Sequence, residues 1–392
     1  MKLPDAAWRS DPALIAVVAA LSDGEMQPRI VGGAVRDSLL GRAVHDIDLA
    51  TPLRPEEVMR RLKAAGLKAV PTGIDHGTVT AVADGRTFEV TTLRRDVSTD
   101  GRRATVAFSD DWREDAARRD FTINALYADP QTGEISDYFG GLADLEAQRL
   151  RFIGDATQRI AEDHLRILRY FRFLARFGRS EVDGEAYAAC HAAASSLKGL
   201  SRERIADELL KLLGLDDPRF AVRAMLGGGI FAPVLPEITD MALLDRLIER
   251  EQAHAVDPAA LRRLLALLPA SVETATDIGA RLKLSRKQRE AMRDRILCRD
   301  NSIPRHAAYA HGWDAARDAA LLYADDAGCE AALDALMDWT PPRFPLKGAD
   351  LIARGLQPGP ELGRKLHAIE ARWMAENFPV ADRLDALVAE QL

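Results

Sequence analysis

The stretch Arg29-Ile-Val-Gly-Gly-Ala-Val-Arg-Asp-Ser-Leu-Leu-Gly41, followed by His45-Asp-Ile-Asp-Leu-Ala-Thr51, decides how the first part of the chain folds. Ile30-Val31 reads as a strand end, Gly32-Gly33 as a turn, and Ala34 to Leu40 as a helix that Gly41 ends. A strand that turns through glycines into a helix brings backbone N–H groups toward a triphosphate, and Arg36 can add a charged fork. Ile47 and Leu49 are apolar and alternate with Asp46 and Asp48, so on a strand both carboxylates leave from one side. Two acids held side by side repel each other, and a divalent cation relieves the repulsion. The pattern points to metal-assisted phosphoryl transfer to a hydroxyl. No Gly-Lys-Ser/Thr follows the glycines at the spacing of a Walker loop.

Outward from this segment, β-rich runs recur at Thr78–Ala83 and Thr87–Leu93, with Gly85-Arg86 read as the hairpin turn between them. Pro55–Ala65 has the proline start and the Gly66 stop of a helix. Glu89, on the second hairpin strand, can approach the Asp pair as a third carboxylate, or be an ordinary surface acid. From about Leu142 strand signals nearly vanish, and Ala, Leu and Arg dominate at helical spacing. The Pro/Gly clusters at Gly227–Pro236 and Trp339–Pro345 mark later boundaries. The expected class is α+β: a mixed head over residues 1–140, then helical segments over 141–230, 231–340 and 341–392.

At 392 residues the chain can hold two or more cores. Its net charge of −7 excludes a globally basic nucleic-acid binder, so any RNA contact must use local patches. Leu145–Arg179, with eight arginines against four acids, is either such a patch or a solvated helix face. Three scattered cysteines (Cys190, Cys298, Cys329) make no metal or disulfide framework and fit a reducing cytosol. Ala13–Leu21 is far shorter than the ~20 apolar residues of a membrane helix, and the N-terminus carries no signal pattern. A cytoplasmic protein without a membrane partner is expected.

Further chemistry-bearing groups follow. Arg118-Arg119-Asp120, with Asp115 upstream, suits triphosphate or ribose binding held by an internal salt bridge, or else a helix-face charge cluster. Asn124 is polar in an apolar run and should bond something specific. In Glu162-Asp-His-Leu-Arg-Ile-Leu-Arg-Tyr-Phe-Arg172, Asp163, Arg166 and Arg169 recur at i, i+3, i+6 and are expected on one helix face. Leu165, Leu168 and Phe171 fall on a neighbouring, core-facing stripe. An Asp accepts and an Arg donates, so Asp163 and Arg166 can match a base edge, or simply pair with each other. Ser201 caps a helix in which Arg204 and Glu208 are expected to brace the structure. Lys347, Gly348, Gly355 and Gly359 could let backbone amides approach RNA phosphates, or belong to a helical end-cap. The His45-Asp46 dipeptide is no phosphohydrolase signature, because the eight histidines show no metal-ligand spacing.

Four ordered segments, Val31–Asp37, Asp46-Ile-Asp48, Arg118–Ala125 and Glu162–Arg169, resemble successive motifs of the class II tRNA nucleotidyltransferase and bacterial poly(A) polymerase family. The likeness is strongest from about Ile30 to Leu213 and weaker to the C-terminus. It implies a polymerase-β-like nucleotidyltransferase head followed by an all-helical neck, body and tail, the tail binding RNA. By the resemblance, Asp46 and Asp48 hold two Mg²⁺ ions. Gly32, Gly33, Arg36, Arg118 and Arg119 hold the triphosphate of CTP or ATP, with Asp120 and Asn124 beside them. Asp163 and Arg166, flanked by Arg169 and Arg172, select the base without a nucleic-acid template. Asp100-Gly-Arg-Arg103 matches a flexible loop involved in the switch from adding C to adding A. The expected reaction is C-C-A addition to the tRNA 3′ end. Poly(A) tailing, A addition after a separate CC-adding partner, and a non-catalytic RNA-binding relative are the alternatives.

Overall fold

The computed structural model describes residues 1–24, 26–99, 104–178, 182–380 and 382–391. They form two compact units, Met1–Pro236 and Glu237–Leu392. The first unit carries all the strands: β1 (Arg29–Val31), β2 (Asp48–Thr51), β3 (Lys68–Gly73), β4 (Thr78–Ala83), β5 (Arg86–Thr92), β6 (Arg94–Thr99), β7 (Ala104–Phe108), β8 (Leu126–Ala128) and β9 (Ile135–Asp137). Seven of them make one sheet in the order β3-β4-β5-β2-β1-β8-β9, and β6 and β7 form a separate ribbon. Only β2 and β5 run parallel, with Asp48 opposite Glu89; their neighbours are antiparallel.

Local signals explain these elements. Pro12 opens helix α1 (Pro12–Leu21) and Pro55 opens α3 (Pro55–Ala64), with the short helix α2 (Gly33–Leu39) between them. The Asp11 carboxylate accepts from the Ala13 N–H at 2.8 Å and caps α1. The β4–β5 hairpin turns at Asp84-Gly85, one residue earlier than expected, because both residues take the positive φ (49° and 73°) that a tight hairpin turn demands. Val31, Ala50, Leu93, Ala125 and Tyr127 of the sheet region pack with Ala116 and Ile153 into one core cluster. That cluster fixes the strand ends from which Asp48 and the glycine turn emerge.

Beyond α4 (Trp112–Ala117) and α5 (Gly141–Glu146), the first unit continues as α6 (Ala156–Glu162), α7 (Leu165–Phe177), α8 (Gly184–Ala192), α9 (Arg202–Leu213) and α10 (Arg219–Gly227). Leu165, Leu168 and Phe171 are buried as their spacing predicts. Phe121 of the head lies 4.9 Å from Phe152 and 5.2 Å from Phe173 between ring centroids. These aromatic contacts seat α7 on the head, so that its arginines face the sheet end. The second unit is helical, from α11 (Ala242–Ala253) to α20 (Asp382–Ala389). No helix among the described residues is long and apolar enough to cross a membrane. Asp100–Arg103, the expected lever, lies outside the described residues, between β6 and β7.

Candidate active site

A cavity of about 500 Å³ opens between the sheet end and the α6–α7 region, within the first unit. Gly32, Gly33, Arg36, Asp48, Arg119, Asp120, Asn124, Asp163, Arg166 and Arg169 line it together with Leu165, Phe173 and Arg204. Asp46, Glu89, Arg118 and Arg172 are not among the lining residues.

Gly32 ends β1 with φ +69°, a conformation that costs glycine nothing. Its N–H donates to Leu126 O at 3.0 Å, and a Cβ there would lie 3.7 Å from an Arg119 guanidinium nitrogen. The turn therefore sits directly under Arg119. β2 begins at Asp48, so Asp46 precedes the strand instead of alternating along it as expected. The reason is register: β2 pairs with a three-residue β1, and Asp48 is already opposite Val31, its last residue. Ile47 is still buried and Asp46 exposed, which keeps Asp46 near Asp48. Burial, then the nearby Glu89 carboxylate, raises the Asp48 pKa from 3.8 to about 6; Asp46 adds to the rise and Arg119 opposes it. Among the described residues none of the three carboxylates has a hydrogen-bond or ion-pair partner.

Asp115 is almost fully buried and organises the arginine pair. It accepts from Arg118 Nε at 2.8 Å, Arg119 Nη2 at 3.1 Å and the Tyr127 hydroxyl at 2.6 Å. Burial alone would raise its pKa, but Arg119 and Arg118 together hold it below the usual carboxylate range. Both guanidiniums thus lean on one acid, and only Arg119 also reaches the cavity wall. Lysine cannot reproduce a planar fork, so Arg119→Lys is expected to raise the nucleotide KM about tenfold. Arg118→Lys should leave KM nearly unchanged, and steady-state kinetics with each nucleotide checks the contrast.

Arg36 is buried, bonded to Asp37 (3.0 Å) and to Asn124, and stacked on Phe177 at 4.4 Å. Burial, the largest influence, lowers its pKa despite Asp37. It braces the cavity floor, whereas the expectation was a free fork for phosphate. Asn124 completes that floor by donating to Asp120 Oδ1 at 2.9 Å. Asp120 also accepts from Arg169 Nη2 at 2.5 Å, which ties the head to α7.

Asp163 does not share a helix with Arg166. Its backbone is extended (φ −151°, ψ 105°) at the break between α6 and α7, and its carboxylate accepts from the Leu165 N–H. A short polar side chain that bonds the backbone two residues on competes with a continuous helix. Arg166 pairs with Glu162 and with the Arg159 carbonyl instead of Asp163. The partner of Asp163 is Arg204, at 2.7 Å. Arg172 bonds Glu208 at 2.6 Å, away from the cavity lining. Arg204, Phe173 and Leu165 are the lining residues that sequence reasoning did not place there; the Arg204 signal was its position three residues after the Ser201 cap. The arginine-rich run is less bare than its count implies: Arg149, Arg151, Arg159, Arg166, Arg169, Arg172 and Arg176 each have a carboxylate partner.

The arrangement places the Asp48 carboxylate, a glycine turn under a guanidinium, and an Asp–Arg edge around one nucleotide-sized space. Comparison with known proteins agrees with this architecture. The profile of the poly A polymerase head domain matches residues 28–151, and that of the "probable RNA and SrmB- binding site of polymerase A" matches 181–241. The chain is 35% identical over 367 residues to the mitochondrial CCA tRNA nucleotidyltransferase 1 of Mus musculus, covering 89% of this chain and 83% of that protein. It is 33% identical over 389 residues to the CCA-adding enzyme of Levilactobacillus brevis, covering 95% of each. The crystal structure of the Bacillus stearothermophilus CCA-adding enzyme in complex with CTP superposes with a TM-score of 0.71 at 27% identity over 93% of both chains. With motifs, fold and whole-length likeness in agreement, the chain belongs to the tRNA nucleotidyltransferase and poly(A) polymerase family.

Proposed function

We propose that this protein is a CCA tRNA nucleotidyltransferase, which adds CMP and AMP from CTP and ATP to the tRNA 3′ end without a template. The observation that carries the reading is the joining of the Asp48 strand end, Arg119 over the glycine turn, and the Asp163 edge in one cavity. Whole-length relatives named for this activity support it over poly(A) tailing.

The acids fit a magnesium site. Three carboxylates lie near one another without a hydrogen-bonded or ion-paired cation among the described residues, and burial, then the Glu89 charge, raises the Asp48 pKa. No three His, Cys, Asp or Glu side chains among the described residues converge closely enough to enclose a metal. Asp46 and Asp48 would therefore hold Mg²⁺ through two carboxylates, leaving its remaining positions to water and phosphate oxygens, as that ion prefers. When bound, Mg²⁺ supplies charge neutralisation at the α-phosphate and lowers the pKa of the attacking hydroxyl. Glu89, opposite Asp48 in the strand pair, is placed to orient this acid pair or to take the proton of the 3′-hydroxyl. Arg119 and the Gly32-Gly33 turn bind the triphosphate, and the ribose 3′-hydroxyl of tRNA attacks the α-phosphorus as pyrophosphate leaves. The head over residues 1–140 carries this chemistry, the neck over 141–230 reads the base, and the body over 231–340 and tail over 341–392 hold tRNA. The three cysteines are free and buried, which suits a reducing compartment such as the cytoplasm.

The test uses tRNA transcripts ending before C-C-A, after C and after C-C, incubated with Mg²⁺ and CTP, ATP or both. Growth that stops after C-C-A on each transcript is expected. Addition of A to the C-C transcript alone would make the protein an A-adding partner, long A tails a poly(A) polymerase, and no growth a non-catalytic relative.

A further inference from the structure

Tyr127 of β8 is fully buried and does not line the cavity, yet its hydroxyl is engaged in both directions. It donates to Asp115 Oδ2 at 2.6 Å and accepts from Arg119 Nε at 3.1 Å. Arg119 Nη2 donates to the same Asp115 oxygen at 3.1 Å, so the three side chains close a ring of hydrogen bonds. Burial, the largest influence, raises the Tyr127 pKa, so the phenol keeps the proton that it donates. The other Asp115 oxygen is occupied by Arg118 Nε at 2.8 Å and the Arg94 N–H at 3.3 Å. The ring decides which edge of Arg119 stays free. Its Nε and Nη2 face Tyr127 and Asp115, while Nη1 has no hydrogen-bond partner among the described residues. Nη1 is also the atom that would lie 3.7 Å from a Cβ on Gly32. Strand β8 serves both halves of this arrangement: Leu126 O accepts the Gly32 N–H, and Tyr127 stands opposite Val31 in the β1–β8 pair.

We propose that Tyr127 is a positioning residue for triphosphate binding: its hydroxyl locks the Arg119 guanidinium so that Nη1 is held over the Gly32-Gly33 turn. The proposal rests on the nucleotide-transfer reading above, in which Arg119 and that turn hold the triphosphate. A guanidinium tied through one nitrogen can pivot about that bond, whereas one tied through Nε and Nη2 together has its plane fixed. Arginine carries the rotamer freedom of a long side chain, and ordering it before the ligand arrives lowers the cost of binding. The aromatic ring of Tyr127 does separate work in the core. Trp112 meets it edge-on at 5.4 Å, and the Arg119 guanidinium carbon lies 5.3 Å from its centroid. Tyr127→Phe keeps those contacts and removes the hydroxyl alone. Arg119 is then held by Asp115 through Nη2, with Nε left without its acceptor.

The test is equilibrium binding of CTP, ATP, inorganic tripolyphosphate and CMP, each with Mg²⁺, to the full-length protein and its Tyr127→Phe, Arg119→Lys and doubly substituted variants. Tyr127→Phe is expected to weaken CTP, ATP and tripolyphosphate alike, by roughly fivefold, and to leave CMP unchanged. In the Arg119→Lys background the same substitution should cost less than about twofold, because the side chain it orients is gone. A phenol that only fills the core would cost the same in both backgrounds, and a distorted cavity would weaken CMP as well. Either result overturns the proposal, and so does a Tyr127→Phe protein that binds the triphosphates like wild type. Binding needs no tRNA, so the two readings fail separately. A protein that shows the expected pattern but never extends tRNA refutes the transfer reading alone, whereas one that extends tRNA with Tyr127→Phe binding unchanged refutes this one.

Discussion

Asp48→Ala is expected to lower nucleotide addition by about a thousandfold or more while leaving the melting temperature unchanged or higher. The activity loss follows from removing the carboxylate that both lines the cavity and lies beside Asp46. A Lewis-acid cation contributes several kcal/mol to phosphoryl transfer, and every 1.36 kcal/mol is tenfold in rate. The stability half of the prediction comes from the opposite sign of the same electrostatics. Burial and the Glu89 and Asp46 charges raise the Asp48 pKa from 3.8 to about 6, so in metal-free protein the folded state holds its proton more tightly than the unfolded chain. Stability therefore falls as pH rises from about 4 to about 6, and the penalty is complete above that window. Removing the acid relieves the penalty, so the gain should appear at pH 7 and vanish near pH 4. Added Mg²⁺ should raise the melting temperature of the wild type and not of Asp48→Ala. Melting at several pH values, with and without Mg²⁺, checks this; a variant that keeps its activity, or one that is destabilised at pH 7, would sink the assignment. Residues selected for chemistry at the expense of stability behave in this way.

The elements around Asp48 were readable because each rests on local chemistry. Strand β1, the glycine turn and α2 follow from β-branched residues, a required positive φ and a short apolar-periodic run, none of which needs a distant partner. The family motifs then assembled most of the cavity wall. What stayed hidden is the pairing of charges across the fold. Arg176 finds Asp37 139 residues away, Arg169 finds Asp120 across 49, and Arg204 finds Asp163 across 41. Helical spacing shows only i, i+3 and i, i+4 neighbours, so Arg36 looked free and Arg204 looked structural. The break at Asp163 was hidden for a related reason. Residues 156–177 carry a helix-compatible pattern on both sides of it, and only the Asp163 carboxylate bonding the Leu165 N–H interrupts the ladder. The starting point of β2 was likewise set by the length of β1, a property of its neighbour.

The second unit holds the other large effect, in stability. Asp318 of α16 (Trp313–Tyr323) and Arg262 of α12 (Ala260–Leu265) are both 0% exposed and lie 2.6 Å apart. Asp318 also pairs with Arg295 and Arg317, while Glu251 of α11 pairs with Arg262 and Arg263. A buried pair of this kind gives little net stability against a well-packed apolar substitute, yet removing one member strands the other without water. Asp318→Ala is therefore expected to cost about 3–5 kcal/mol, read as a lower urea midpoint with Trp313, Trp339 and Trp373 as the fluorescent reporters of this unit. The double variant Arg262→Met, Asp318→Leu should lose much less than the single one, because no charge is left uncompensated. The pH dependence has the opposite sign to that at Asp48. Burial pushes the Asp318 pKa up, but Arg262, Arg295 and Arg317 more than offset it, so the folded value lies below 3.8. The stabilisation is then fully present above that value and lost only as pH falls through the folded pKa. The second unit should hold its stability down to about pH 4 and lose it below, and Asp318→Ala should flatten that acid limb. A single variant costing under about 1 kcal/mol would mean that the network is hydrated in solution and its arginines are not stranded.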